Sequence, residues 1–268
     1  MTEFLRKMLH KTTSKQNFCT SGKYAHRIKK FIFCAVLCSV NTCFAAFGSD
    51  GGFFGSSTTS NSSFMSSMEQ RLVSFVHKSV AGLRYSVYQL GGSRFDPSRG
   101  VYVLDCSGYV DNILQTIYPE AYSNLVNYTG SEKPTTQHYS QFIKGLTEDP
   151  SDYWNKVDHI EQLRAGDILV FRYKNSRGRE TGGHVMVVMD KPVREDGDFL
   201  VRVADSAPAG HSEDTRQSHT SGIGIGTLLL KANPKTGHPS AFAWKVGSCW
   251  KKNVSFAMAR PIANTTVD

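Results

Sequence analysis

The sequence predicts an α+β domain in which helices pack on an antiparallel sheet. Three observations carry that prediction. Apolar residues recur at helical spacing through the first half of the chain body, short apolar runs of strand length replace them in the second half, and Asp196-Gly197 stands between two such runs as a hairpin turn. Helical pattern first and strand pattern later is the order of an α+β architecture, not of alternating βαβ units.

The chain of 268 residues opens on a basic stretch. Residues 1–45 hold eight of its 31 Lys and Arg and one of its 23 Asp and Glu, which leaves the remainder close to neutral although the whole carries +8. The basicity therefore belongs to a leader and is no footprint of nucleic-acid binding. Arg27, Lys29 and Lys30 precede the apolar run Phe31–Val40, and Cys43-Phe44-Ala45 places small residues before a cut after Ala45. Residues 1–45 thus read as a secretory signal peptide, with an uncleaved anchor as the competing reading. Export to the periplasm or outside the cell is the expected localisation, and the leader is the one expected contact with a membrane. Removing it takes away Cys19, Cys34, Cys38 and Cys43 and leaves Cys106 and Cys249. Two cysteines make no disulfide framework, although a Cys106–Cys249 bridge would silence either thiol.

Residues 46–65 are rich in Gly, Ser, Thr and Asn and read as a flexible linker, so that the expected domain spans 66–268. Its first helix should begin at Ser66, with Glu69 completing a capping box and Met68, Leu72, Phe75, Val76, Val80 and Leu83 on the buried face. Residues 91–100, with Asp96-Pro97, read as loop. Val101–Leu104 is short and apolar. After it Tyr109, Val110, Ile113, Leu114 and Ile117 mark an amphipathic helix. Residues 118–160 look irregular apart from a helix near Thr136–Leu146. Strands are expected at 167–172, 184–189 and 199–203, with further ones at 222–230 and 256–260. No internal repeat and no second domain are evident.

The residues with chemistry stand at the joints of this pattern. Cys106 lies between an apolar run and a helix, so that its sulfur would meet the positive end of the helix dipole, which favours thiolate. Gly182-Gly183 precedes His184, a candidate base, and Asp205 lies on the neighbouring strand, where its carboxylate would fix the imidazole tautomer. Taken from the residues alone, Cys106 also reads as a packed small hydrophobe, Asp205 as a turn residue, and His138, His211 and His219 as rivals of His184. His211, Glu213, Asp214 and His219 are too loosely spaced for a metal site, and neither a metal nor a cofactor is expected.

Four stretches in order resemble the NlpC family of papain-like cell-wall cysteine peptidases. Tyr88-Gln89-Leu90-Gly91-Gly92 is similar to its Tyr-x-Trp-Gly-Gly signature, with Leu90 in place of Trp. Asp105-Cys106-Ser107-Gly108-Tyr109-Val110 matches its nucleophile motif. Leu163-Arg164-Ala165-Gly166-Asp167-Ile168 is similar to its strand entry, with Ala165 for Pro, and Gly183-His184-Val185 matches its histidine strand. The resemblance covers about Tyr88 to Pro261 and implies a papain-like NlpC-type fold with the nucleophile at a helix N-terminus. It implies Cys106 as nucleophile, His184 as general base and Asp205 as third member, where the family more often carries His. Tyr88, Asp105 and Ser107 would bind substrate, and the Cys106 N–H would contribute to an oxyanion hole. The implied partner is a peptidoglycan stem peptide whose amide bond is cleaved through a thioester. A papain-like amidase or acyltransferase acting as a secreted toxin, or a silent binding module on the same fold, are the rivals. A transglutaminase also runs Cys, His, Asp in order but does not share the Asp-Cys-Ser-Gly context.

Overall fold

The computed structural model describes residues 67–149 and 151–263; the leader, the linker, Ser66 and the last five residues lie outside the described residues. The architecture is α+β. Helix α1 (Ser67–Ala81) is followed by β1 (Tyr85–Tyr88), β2 (Ser93–Asp96) and β3 (Val101–Leu104). Three helices come next: α2 (Cys106–Ile117), α3 (Pro119–Thr129) and α4 (Thr136–Gly145). The remainder is strand: β4 (Trp154–Lys156), β5 (Ile168–Lys174), β6 (Glu180–Val188), β7 (Val193–Glu195), β8 (Asp198–Ala207), β9 (Gly222–Ala232), β10 (Pro239–Ala243) and β11 (Val254–Pro261).

Two sheets result. β1, β3 and β2 form a small one, with β1 parallel and β2 antiparallel to the central β3. The large sheet is antiparallel in the order β10-β9-β8-β6-β5-β11-β4, with β7 paired to β8. Alternation along its strands separates two cores. Val170, Val185, Val187, Ala204, Ile223 and Ile225 face the helices and pack with Leu72, Tyr109, Ile113 and Leu114. Leu169, Phe171, Met186, Val188, Val203 and Leu228 face the other way. That second core is closed by the curl of the sheet, which stacks Phe242 of β10 on Phe171 of β5 with ring centroids 4.1 Å apart.

Several elements depart from the sequence expectation. Residues 91–100 are not all loop, since β2 pairs Ser93–Asp96 with β3; the half-exposed strand has no apolar alternation to reveal it. Residues 118–160 contain α3, which only Ala121, Tyr122 and Leu125 bury, a stripe too narrow to read as periodic; its ends are nevertheless marked by Pro119 at the first position and Gly130 at φ +65°. β4 and β10 are short additions at the two edges of the large sheet. His184 does not open its strand: β6 begins at Glu180 and bulges at Gly182-Gly183, where Arg172 pairs with Gly183 but Tyr173 pairs with Thr181. Glu69 of α1 forms an ion pair with Arg164 at 2.6 Å, and the capping box expected between Glu69 and Ser66 lies outside the described residues.

Candidate functional site

Cys106 is the first residue of α2, and Asp105 is its N-cap. The Asp105 carboxylate accepts from the Gly108 N–H and the Ser107 hydroxyl on Oδ1, each at 2.9 Å, and from the Gly91 N–H on Oδ2 at 2.9 Å. One side chain thus caps the helix and ties it to the glycine pair after β1, a cap worth ~1 kcal/mol. Leading-turn geometry leaves the N–H groups of Cys106 and Ser107 without intrahelical acceptors, where an oxyanion would be met.

β6 and β8 keep register at only two pairs, Val187 with Ala204 and Val188 with Val203. Toward His184 the ladder ends, and the start of α2 approaches there, where the Val185 N–H favours the thiolate form of Cys106. The Thr136 hydroxyl, on the first residue of α4, lies 3.5 Å from the same sulfur. Two helix N-termini and a strand amide therefore converge on one thiol that is 4% exposed.

His184 completes the arrangement. Its ring acts on the Cys106 side chain, and its Nε2 lies 2.6 Å from Asp205 Oδ2. With Nε2 committed to the carboxylate, Nδ1 is the nitrogen left for sulfur. Burial pushes the Cys106 thiol up, but the facing imidazole, with hydrogen bonds from His184, Thr136 and Val185, holds it below its ordinary value. Burial pulls His184 down, yet the Cys106 charge and the Asp205 hydrogen bond raise it to about 10. Opposite movements of the two partners are what a thiolate–imidazolium pair requires.

Asp205 is fully buried, and burial alone would raise its carboxyl; the charges of His211 and Arg216 and the bonds from both histidines hold it well below the usual range. Oδ2 is shared between His184 and His211 Nε2, the latter at 2.9 Å, while Oδ1 accepts from Arg216 Nη2 at 2.6 Å. The indole of Trp244 borders both imidazoles, with centroids 5.3 Å from His184 and 4.2 Å from His211.

The structure thus brings Cys106, His184 and Asp205 together. Tyr88 is half-buried beside them; burial, followed by the charges of Cys106, Asp105 and Asp205, pushes its hydroxyl up to about 12. Asp105 and Ser107 line a cleft of about 750 Å³ that runs along α2 past Asp111 and Gln115 to Glu132 and Lys133. On its floor Asp111 accepts from the Tyr139 hydroxyl at 2.7 Å, and burial lifts its carboxyl to about 8. Of the rival histidines, His138 caps α4 by accepting from the Thr135 N–H, and His219 lies in a turn at φ +64°. His211 joins the site, but at the carboxylate and not at the sulfur. Cys106 and Cys249 are not bridged to each other.

Sequence reasoning missed Thr136, Arg216 and Trp244. Thr136 carries no motif. Arg216 had one usable indication, the alternation Gly222-Ile223-Gly224-Ile225-Gly226, which turns a bare glycine face of β9 toward whatever covers it. No group of His, Cys, Asp and Glu suited to a metal ion occurs among the described residues, and none of their helices is long and apolar enough to cross a membrane.

No family model matches the chain, and no solved structure matches it. Over 153 residues it is 24% identical to an uncharacterized protein, R653, of Acanthamoeba polyphaga mimivirus. That stretch covers 49% of this chain and 64% of the viral protein, so the chain spans just under two thirds of that relative.

Proposed function

We propose that the chain is an exported cysteine hydrolase of the papain-like NlpC type that cleaves an amide bond in peptidoglycan stem peptides. The observation that carries this is the buried cluster of the Cys106 thiol at a helix N-terminus, the His184 imidazole whose charge acts on it, and Asp205 hydrogen-bonded to that imidazole. Support for the substrate class comes from the Asp105–Val110 and Tyr88–Gly92 motifs and from the cleft that Asp105 and Ser107 line.

In this reaction the Cys106 thiolate adds to the amide carbonyl carbon, and the new oxyanion meets the free N–H groups at the start of α2. Imidazolium His184 gives its Nδ1 proton to the amide nitrogen as the C–N bond breaks, and the amine leaves. The acyl group remains as a thioester. Water then attacks the thioester carbon while His184 takes a water proton, and C–S cleavage returns the thiolate and releases the acid. Asp205 holds Nε2–H throughout and keeps the ring turned toward sulfur. The Tyr88 hydroxyl, kept protonated up to about pH 12, is a donor beside the reacting centre.

The test is incubation of the full chain and of Cys106→Ala with purified peptidoglycan, followed by mass spectrometry of the soluble fragments. Peptide fragments released by the wild type alone are expected. Intact peptidoglycan in the presence of a wild type whose Cys106 alkylates abnormally fast at acidic pH would sink the substrate assignment and leave acyl transfer at another amide.

A further inference from the structure

Asp205 raises a problem that the hydrolase reading leaves open. A fully buried carboxylate has every incentive to protonate or turn, and either would release the His184 ring. We propose that Arg216 is the positioning residue of the site: its guanidinium pins one oxygen of Asp205 so that the other is fixed on His184. The proposal rests on the hydrolase reading for its consequence, because it concerns how the base is aimed.

The geometry is that of a clamp. Arg216 Nη2 donates to Asp205 Oδ1 at 2.6 Å, which leaves Oδ2 for His184 and His211. Arg216 is itself held from three directions. Nε donates to Asp214 Oδ1 at 2.8 Å, Nη2 also donates to Asp214 Oδ2 at 2.9 Å, and Nη1 donates to the Gly222 carbonyl at 2.9 Å. Asp214 is fixed in turn by the backbone N–H groups of His211 at 2.7 Å and Arg216 at 2.8 Å. A planar fork bridging two carboxylates is something a lysine ammonium cannot reproduce.

The chain makes room for this clamp deliberately. Residues 208–221 leave β8, fold back and bond to β9 through Thr215 N–H to the Ile225 carbonyl, 2.9 Å, and Ile225 N–H to the Thr215 hydroxyl, 2.9 Å. A Cβ on Gly224 would lie 2.5 Å from Arg216 Nε, and one on Gly226 would lie 2.5 Å from Asp214 Oδ2. The glycines of the Gly-Ile-Gly-Ile-Gly run thus hold open the space that the guanidinium and its carboxylate partner occupy, while Ile223 and Ile225 fill the helix-side core. The other titratable groups around the clamp are the buried Tyr109 hydroxyl from α2 and the Tyr88 hydroxyl from β1.

A buried ion pair that served only folding would change stability and leave the chemistry of Cys106 alone. A positioning residue must change the titration of the thiol. The experiment follows iodoacetamide labelling of Cys106 by peptide-level mass spectrometry across the pH range, in the full chain, with circular dichroism and a thermal melt on every variant. Arg216→Met removes the cation and the fork. At pH values below the wild-type thiol midpoint it should slow labelling about tenfold, the drop that a one-unit rise in thiol pKa produces there. The alkaline plateau, where every thiol is ionised, should stay unchanged. Arg216→Lys should recover part of the loss, and Asp214→Asn, which frees the far side of the guanidinium, should give a drop of about threefold in the same direction. A folded Arg216→Met with the wild-type profile overturns the proposal. If Arg216→Met does not fold, an unshifted Asp214→Asn overturns it. A wild-type Cys106 that titrates like an ordinary thiol, near pH 8.5, would instead bring down the hydrolase reading itself.

Discussion

At the Cys106 sulfur two opposing effects meet. Removal from water favours the neutral thiol, and the imidazole, the Thr136 hydroxyl, the Val185 amide and two helix N-termini favour the thiolate and win. The signs fix a pH window. The thiolate forms as pH rises through a depressed thiol pKa, and the imidazolium is lost as pH rises through the His184 value of about 10. Acylation should therefore rise on an acidic limb below the ordinary thiol range and fall on an alkaline limb near pH 10, measurable as single-turnover rates against pH. Asp205→Asn removes the charge that helps raise His184 and offers it an amide in place of a carboxylate. We expect the alkaline limb to move toward neutrality and the rate to fall roughly 10²- to 10⁴-fold, as loss of a carboxylate orienter does elsewhere. A folded Asp205→Asn with an unchanged alkaline limb would mean that Asp205 does not act on His184. At this scale the sequence was informative where a residue sits inside a motif. Asp105 and Cys106 stood out. The sharing of Asp205 between His184, His211 and Arg216 did not, because it depends on a loop returning across β9, and the glycine alternation of β9 marks that something covers the strand without saying which residues.

Elements set the direction in which these side chains point. The Gly182-Gly183 bulge inserts one extra residue into β6, so the strand turns just before His184. Gly183 stands at φ +149°, and a Cβ there would approach the Phe171 carbonyl to 2.3 Å, a backbone atom that cannot swing aside. Gly183→Ala should cost about 2 kcal/mol or more in stability. It should also lower the turnover of the fraction that remains folded, because relief of the clash moves His184 away from sulfur. Thermal melts and active-site-normalised kcat check both effects, and a folded variant with normal kcat would show that the bulge is not needed to aim the ring. The helical elements were legible in proportion to the width of their buried stripe. α2 buries Tyr109, Val110, Ile113, Leu114 and Ile117 and announces itself, whereas α3 buries three residues and is betrayed only by Pro119 and Gly130. The Leu163–Ile168 motif was legible without its reason. Gly166 turns at φ +91°, and buried Asp167 receives the fork of Arg260 from β11 at 2.8 and 3.0 Å.

Across the molecule, the site lies where the two sheets are joined. The Ile223 N–H donates to the Ser86 hydroxyl at 2.8 Å and the Tyr88 N–H to the Ser221 hydroxyl at 3.2 Å, across 137 and 133 residues of chain. The Ser206 hydroxyl donates to the Leu104 carbonyl at 2.8 Å, across 102 residues. Each tie lies within two residues of Tyr88, Cys106 or Asp205, or on the glycine strand that carries the Arg216 clamp. The small sheet therefore cannot leave the large one without releasing the start of α2. Nor can the large sheet open without scattering His184 and Asp205. Both cores meet this junction through buried side chains, which couples the reactivity of the thiol to the folding of the whole. The expected outcome is a single transition in urea. Rapid labelling of Cys106 at pH 6, read by peptide-level mass spectrometry, should vanish at the same midpoint as the far-ultraviolet circular dichroism, because unfolding returns the thiol to its ordinary pKa, where little thiolate exists at that pH. Loss of the fast labelling at a clearly lower urea concentration would show that β1–β3 and the start of α2 open as a unit of their own, with the large sheet still intact.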